Sequence, residues 1–158
     1  MRRKDREVTD FKQIVSIIQK SEILRLGLFD ENGVYIVPVN YSFEVLSDKT
    51  INFYIHGAIA GRKFEIMSKN PVCSFEIDNF IKIDYLPQKK DITTRYESVM
   101  GKAKIAFIEE SQKESVMQEK ILTRYEGAKN FEWNKNALSR CSIIKLTVTE
   151  ISAKANLE

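Results

Sequence analysis

The sequence contains few of the residues that cross-link chains, bind metal ions or cross membranes. Its 158 residues include two cysteines, one histidine, one tryptophan, three prolines and six glycines. Two cysteines cannot form the disulfide framework of a small secreted domain, and so little proline and glycine excludes a collagen-like or low-complexity chain. No apolar run approaches the roughly 20 residues of a membrane-spanning helix, and no apolar segment follows the basic start as in a signal peptide. We therefore expect a cytoplasmic protein without a membrane segment.

The remaining composition is that of a folded globular protein. Hydrophobic residues make up 43% of the chain and charged residues 30%, which excludes a wholly disordered chain. The length suits a single domain, residues 1–158. A formal net charge of +3 is weak evidence for nucleic-acid binding, whereas it is compatible with a small anionic ligand. Cys73 and Cys141 lie in strand-like apolar segments, and we interpret both as reduced thiols.

The first half of the chain predicts an amphipathic helix followed by an antiparallel meander. Asp10 can cap the helix, whose apolar residues recur at helical spacing over about residues 10–20. Pro38 lies inside a predicted strand and indicates a sheet edge, a bulge or a ligand-facing stretch, because proline cannot donate to a ladder. Strands are predicted at about residues 24–28, 34–46 and 50–56, with an Asn32-Gly33 turn after the first.

The second half predicts two helices and three more strands. Ser111 and Glu114 have the spacing of a capping box for the longer helix, which Gly127 can end. Residues 128–140, which include Trp133, are compatible with a helix or a loop. The helices are predicted at about 61–69 and 112–126, the strands at about 72–78, 95–108 and 142–152, and a polar loop at about 87–91. Six strands with tight turns predict a mainly β fold with flanking helices, a six-stranded antiparallel barrel that is closed or split.

The stretch from His56 to Lys63 is the most informative for function. A predicted strand ends there, small residues turn the chain, and a helix begins with two cations. A helix N-terminus offers free N–H groups, and Arg62 and Lys63 can add charged hydrogen bonds to a terminal phosphate. The same pair on a solvated helix face is the simpler alternative. The candidate residues of this stretch are His56, Gly57, Ala58, Gly61, Arg62 and Lys63.

Known nucleotide loops and metal sites do not explain this stretch. It lacks the spacing of a P-loop and the glycine fingerprint of a dinucleotide fold. His56 is the only histidine, and the two cysteines do not have metal-ligand spacing, so we expect no metal. Taken alone, His56 is compatible with a structural hydrogen-bonding role or with a role at a ligand.

Two further stretches are unusual for strands. Pro and Asn are depleted in strands, yet one predicted strand keeps both, and another begins with a dense polar run. A bulge and a solvated strand are the simpler explanations. The candidate residues are Pro38, Val39, Asn40 and Tyr41 in the first stretch, and Tyr96, Glu97 and Ser98 in the second.

Taken together, these stretches resemble the flavin-binding split-barrel superfamily. The nearer match is its nitroimidazole-resistance branch, which is related to pyridoxamine 5′-phosphate oxidase. The oxidase's C-terminal substrate-binding pattern is not found, and Arg62 stands where the resistance branch often has His. The matching pieces follow the family's order over about residues 1–125: Met1–Arg6, Val37–Tyr41, His56–Ala58 with Gly61–Lys63, Asn70–Phe75, and Thr94–Val99 with Gly101–Ala103.

The resemblance implies FMN bound at a homodimer interface. It implies that Val39-Asn40-Tyr41 lies along the isoalloxazine edge, that Arg62 and Lys63 hold the phosphate, and that His56 and Gly57 lie near the ring. Residues 96–98 are implied to line the same pocket, and His56 is the candidate proton donor. The implied activity is reduction of small electron-poor compounds such as nitroaromatics. A flavin-storage protein, or a split-barrel protein that binds haem or a deazaflavin, stays open.

Overall fold

The chain is built around one antiparallel sheet, which a computed structural model describes with its helices for residues 3–125, 128, 131 and 134–157. Within these residues the strands are β1 (Glu7–Val8), β2 (Ile23–Asp30), β3 (Gly33–Asn40), β4 (Ser42–Val45), β5 (Ile51–Ala58), β6 (Val72–Leu86), β7 (Asp91–Phe107) and β8 (Cys141–Asn156). The helices are α1 (Phe11–Lys20), α2 (Arg62–Lys69), α3 (Lys113–Val116) and α4 (Lys135–Ser139). Short 3₁₀ or π turns occur at Lys4–Arg6, Pro87–Lys89, Glu110–Gln112, Met117–Ile121 and Leu122–Arg124.

The sheet curls so that the strands at its two ends approach each other without pairing. Its strand order is β3-β2-β6-β7-β8-β5-β4, and β1 pairs with β8 beside this path. The edge strands β3 and β4 are consecutive in the chain and are separated only by Tyr41. β3 and β5 therefore face each other across a gap in which they form no ladder. This arrangement is a mainly β split barrel, as predicted.

The described sheet has eight strands where six were predicted. One extra strand is the two-residue β1. The other arises because the predicted strand at 34–46 is divided at Tyr41, which is buried and whose hydroxyl can donate to the carbonyl oxygens of Ile18 (2.6 Å) and Ser21 (3.0 Å). Pro38 lies on the edge strand β3. Of the three alternatives for this proline, a sheet edge, a bulge or a ligand-facing stretch, the structure shows the first.

Helix α1 closes one end of the barrel with the face that its periodicity predicts. Ile14, Ile17 and Ile18 are buried in the main core together with the inward leucines of β2. The Asp10 carboxylate caps the helix by accepting a hydrogen bond from the backbone N–H of Lys12 (3.2 Å). The predicted helix at 10–20 is thus confirmed at both its cap and its apolar face.

Strands β6 and β7 are much longer than predicted and form a projecting arm. Residues 82–95 pair only with one another, because the pairing of β6 with β2 spans Phe75 and its two neighbours and that of β7 with β8 begins at Tyr96. The polar loop predicted between these strands is therefore confined to residues 87–90. Charged residues alternate along the arm, and they give its sequence the composition of a loop. A strand pair can have this composition because a two-stranded ribbon needs no continuous apolar face.

The C-terminal helical segment covers the outer face of β5 and β8. Over its described residues the segment predicted as a helix at 112–126 is helical, but it is not one regular α-helix: it passes from a 3₁₀ turn through α3 and a π turn to another 3₁₀ turn. The predicted capping box is absent, since no side chain caps the turn at Glu110 or α3. Gly127 and Trp133 lie outside the described residues. A second apolar cluster holds the segment: Tyr54, Met117, Ile121, Leu122, Leu138 and Ile143.

A half-buried carboxylate ties this segment to the barrel. Glu44 on β4 accepts hydrogen bonds from the hydroxyl of Tyr54 (2.6 Å), the amide of Asn52 (3.1 Å) and the ammonium of Lys120 (2.8 Å). Burial by itself would raise the pKa of Glu44, but these three donors outweigh it and lower the pKa to about 2. The carboxylate therefore stabilises the fold while it is ionised.

We expect this contribution to disappear in acid. The pKa of Glu44 is lower in the fold than its ordinary 4.5, so the contribution is complete above about pH 5 and is lost as the pH falls toward 2. Glu44→Gln should lower the free energy of unfolding at pH 7 by about 2 kcal/mol and make it less dependent on pH between 5 and 2. Urea unfolding at pH 7 and pH 3 measures both effects. Glu109→Gln, at an exposed position, is the control, and an equal loss in the control would contradict the role of Glu44.

The described residues contain neither a membrane-spanning helix nor a cluster of metal ligands. No helix there is long and apolar enough to span a bilayer. No group of three or more histidine, cysteine or acidic side chains there could hold a metal ion. Cys73 is buried and Cys141 half-buried, and both are free thiols.

Candidate functional site

The connection between β5 and α2 forms the centre of the candidate site. Gly61 is the N-cap of α2 with φ of 103°, a conformation that side chains other than glycine rarely adopt. No side chain caps the helix, so its first N–H groups point outward without a side-chain acceptor. Ala58 and Gly61 are exposed. The loop therefore presents backbone donors and the positive end of a helix to an approaching ligand.

Lys63 lies over the end of β5. Its Nζ is 3.1 Å from the position that a Cβ atom on Gly57 would occupy, so the missing side chain of Gly57 makes room for the ammonium group. Burial lowers the pKa of Lys63, and the nearby Cys141 thiol partly opposes this shift. No carboxylate in the described residues pairs with this half-buried cation. An unpaired cation beside an uncapped helix N-terminus favours an anion.

Arg62 reaches in the other direction, toward the hairpin of β2 and β3. Its guanidinium lies 3.6 Å from the Asp30 carboxylate and 4.8 Å from the centre of the Tyr35 ring. The Arg62 side chain is 51% exposed. Because its separation from Asp30 is long, N–H donors of the guanidinium group remain free for a ligand. Sequence reasoning missed Asp30 and Tyr35, because only the pairing of β2 with β3 brings them to α2.

His56 points outward from β5, beside Ile143 of β8. Its imidazole is exposed and has no hydrogen-bond partner among the residues that are described. Partial burial and the positive charge of Lys63 both lower the pKa of His56 below its ordinary 6.5. His56 is therefore neutral at pH 7. An imidazolium at neutral pH would require a nearby negative charge.

The predicted stretch on β3 divides between the surface and the core. Pro38 and Asn40 are exposed, whereas Val39 and Tyr41 are buried. Arg124 stacks on the Tyr41 ring at 4.4 Å, and burial raises the pKa of Tyr41 to about 12. A ligand along this strand can thus reach the two exposed side chains and the backbone, but not the side chains of Val39 and Tyr41.

The predicted stretch on β7 is divided between the two faces of the strand, but none of its side chains is exposed: Tyr96 is half-buried, and Glu97 and Ser98 are buried. Glu97 is buried and pairs with Lys20 of α1 at 3.0 Å. Tyr96 and Ser98 belong to the opposite, outer face of β7, the face on which Pro38 lies. Pairing of the strands separates Tyr96 from His56: Tyr96 pairs with Asn156 and His56 with Ile143, which is about 40 Å along β8.

A family model, pyridoxamine 5′-phosphate oxidase, matches residues 10–155. The chain belongs to this family. The match spans most of the chain and includes all of the candidate residues on β3, β5, α2 and β7. No match was found among curated proteins.

Solved structures of the oxidase-like fold are similar over nearly the whole chain. A candidate 5-nitroimidazole antibiotic resistance protein from Bacteroides thetaiotaomicron has a TM-score of 0.77 and 24% identity, covering 94% of this chain and 85% of that one. An FAD- and haem-binding protein from Mycobacterium smegmatis has a TM-score of 0.80 and 12% identity, covering 96% and 73%. An FAD-binding protein from Mesorhizobium loti has a TM-score of 0.67 and 14% identity, covering 97% of both chains. At these identities the similarity establishes the fold.

The residues of this oxidase-family chain fit a flavin phosphate. A phosphate monoester needs two or more cationic donors and backbone N–H groups, and Lys63, Arg62 and the start of α2 supply them. The ammonium of Lys63 already occupies the space left by Gly57, so a larger residue at Gly57 would displace it. Arg62 contacts Tyr35, which belongs to the inner side of β3, whereas Pro38 and Asn40 lie on its outer side.

Proposed function

We propose that the protein is an FMN-dependent reductase of small electron-poor compounds, nitroaromatics among them. The observation that carries the proposal is Lys63, a half-buried cation without a carboxylate partner in the described residues, placed at the uncapped N-terminus of α2. Family membership and the fold shared with flavin-binding proteins support it. The nitroimidazole compounds named for the Bacteroides protein suggest the substrate class.

The chain's residues have separate tasks in this proposal. Lys63, Arg62 and the N–H groups of α2 hold the phosphate, and the exposed side of Pro38 and Asn40 supports the ring. When bound, FMN supplies the redox chemistry. His56, neutral at pH 7, can donate a hydrogen bond to the substrate through its N–H, and it becomes a proton donor only when it is protonated below its lowered pKa.

A homodimer belongs to the proposal, because one chain does not complete the slot. Tyr96 and Ser98 lie on the same outer face as Pro38 but three strands away in the sheet, which is about 14 Å. We assign to them a place against the ring of the neighbouring subunit. The whole chain acts as one domain, and its two free thiols suit the reducing cytoplasm.

The visible spectrum of the freshly purified protein tests the cofactor. Flavin bands, with FMN identified by mass after release, support the proposal, whereas a haem Soret band or a deazaflavin spectrum would overturn it. Turnover of a nitroimidazole with a reduced nicotinamide donor then tests the activity. A protein that holds FMN but reduces no nitro compound is a flavin-binding protein and not the proposed reductase.

His56→Ala should slow nitro reduction most at pH 5, by up to roughly 100-fold, the scale of a lost proton donor, while FMN affinity changes little. His56 has a pKa below 6.5, so the parent's rate should rise as the pH falls below that value and the imidazolium forms, and this rise should be absent in the variant. Stopped-flow reduction between pH 5 and 8 provides the profile. Equal rates and profiles in both proteins would assign His56 a structural role.

A further inference from the structure

Arg124 is a buried cation at the end of the C-terminal helical segment, and the proposed function does not use it. It closes the 3₁₀ turn Leu122–Arg124, and its side chain is only 7% exposed. Its guanidinium is 3.8 Å from the carboxylate of Glu22, which is itself largely exposed, so this pair offsets little of the cost of burying the charge. The remaining compensation comes from carbonyl oxygens and aromatic rings around the guanidinium.

The Arg124 guanidinium caps the C-terminal end of α1. Its Nη2 atom donates to the carbonyl oxygen of Ser21, the C-cap residue, and to that of Gln19 in the last turn at 3.4 Å. The last carbonyl groups of a helix have no partner within it, and the negative end of the helix dipole favours a cation there. Arg124 therefore fixes the end of α1 relative to the C-terminal segment.

The same guanidinium packs on the aromatic side chains that follow β3. Its central carbon is 4.4 Å from the centre of the Tyr41 ring and 6.0 Å from that of Phe43. The Tyr41 hydroxyl donates to the carbonyl oxygens of Ile18 and Ser21. Because the Ser21 carbonyl oxygen accepts from both side chains, Arg124, Tyr41 and the end of α1 are held as one unit.

This unit borders the part of β3 that is proposed to support the flavin ring. Asn40 is the last residue of β3, directly precedes Tyr41 and is exposed. Its side-chain amide donates to the backbone carbonyl oxygen of Glu22 at 3.4 Å, one residue beyond Ser21. Asn40 is therefore held on both sides by residues that Arg124 contacts.

We propose that Arg124 is a positioning residue for the flavin ring. Its side chain is too buried to touch a ligand on the exposed side of β3, so it acts through Tyr41 and the end of α1 on the position of Asn40. Stacking on an aromatic ring while donating to two carbonyl oxygens requires the flat guanidinium, which an ammonium group cannot replace. The inference rests on the proposed function, because the placement of the ring beside Asn40 belongs to that proposal.

A residue that positions the ring should affect every flavin alike. Arg124→Met removes the guanidinium and should weaken FMN, riboflavin and lumiflavin, which is the ring alone, by a similar factor of roughly 3- to 30-fold. A variant at Lys63 differs, because its loss should be confined to FMN. Arg124→Lys keeps the charge but not the flat group, should lose affinity in the same range, and serves if the Met variant does not fold. Fluorescence quenching titrations measure all three affinities.

The visible circular dichroism of the bound flavin separates positioning from stability. Under saturating FMN and well below the unfolding transition, the bands of Arg124→Met should differ from those of the parent. Glu44→Gln is the matched control, because it loosens the same segment at Lys120, through a contact that does not involve Tyr41. It should keep the parent's flavin affinities and spectrum. Arg124 variants with the parent's affinities and spectrum, or an equal change in Glu44→Gln, would overturn the inference.

Hydrogen exchange in the flavin-free protein tests the structural step by itself. In Arg124→Met the backbone amides of residues 40–42 should exchange at least about tenfold faster than in the parent, while those of residues 34–36 at the other end of β3 keep the parent's rates. Unchanged rates at 40–42, or a uniform increase along β3, reject the inference. The local increase in a protein whose parent binds no flavin rejects the proposed function alone. A parent that binds FMN, with Arg124 variants that bind every flavin equally well, rejects this inference alone.

Discussion

Replacing Lys63 with Met should weaken FMN binding by roughly 10- to 150-fold, the equivalent of about 1.5–3 kcal/mol for a charged hydrogen bond. The reason is its position: the ammonium is half-buried over Gly57 and has no carboxylate partner in the described chain that would compete for it. Arg62→Ala should have an effect of similar size. Because the two side chains share one phosphate, their effects should not add independently, and the double variant should lose at least as much affinity as the more damaging single variant.

Riboflavin, which lacks the phosphate, separates this effect from a general loss of structure. Its affinity should change less than threefold in either variant, as followed by flavin fluorescence quenching. Lys69→Met makes the same chemical change at the exposed end of α2 and should leave FMN affinity unaltered. If FMN and riboflavin lose affinity equally, or if Lys69→Met weakens FMN binding as much as Lys63→Met does, the residues at the start of α2 do not bind the phosphate.

Gly101→Ala should destabilise the fold by at least about 3 kcal/mol, the largest single effect that we expect. A Cβ atom there would overlap the carbonyl oxygen of Glu150 and approach the Phe75 ring to 2.7 Å. The carbonyl belongs to the neighbouring strand β8, and Phe75 is buried against Phe53, so neither can move cheaply.

Gly27→Ala is the matched control, because Gly27 lies on β2 with only Ser74 atoms near its Cβ direction, none within 3.7 Å. Its free energy of unfolding should stay within about 1 kcal/mol of the parent, with a small gain from reduced freedom of the unfolded chain. Urea denaturation of both variants gives the comparison. Equal midpoints for the two variants would mean that β7 and β8 do not approach as closely at Gly101 as the structure describes.

The barrel could be predicted because its core elements carry strong local patterns. The leucines of β2 alternate and are almost fully buried, and α1 has both a capping residue and an apolar face. The arm could not be predicted, because its strands are stabilised only by each other and their charged residues alternate with exposed apolar ones. The π turn at Met117–Ile121 could not be predicted for a different reason: it depends on contacts with Tyr54 and Ile143, which are distant in sequence.

The candidate site divides in a similar way. The sequence around Gly61 predicts a helix start with two cations, and that start is present. It does not reveal that Lys63 bends back over Gly57 while Arg62 reaches Tyr35, because these directions depend on neighbouring strands. Nor does it separate Glu97, which faces α1, from Tyr96 and Ser98, although alternation along a strand predicts opposite faces once the strand's inner side is known.

Pro38 has a consequence for how copies of this chain can meet. It lies in the middle of the outermost strand β3, whose exposed residues Val34 and Ile36 are apolar. An uninterrupted edge of this kind recruits strands from other molecules and begins fibrillar aggregation. Because proline offers no N–H at the centre of the edge, an incoming strand finds a broken ladder. The protein is thereby protected against open-ended sheet growth, and association is restricted to side-chain contacts between faces, which end when two surfaces are paired.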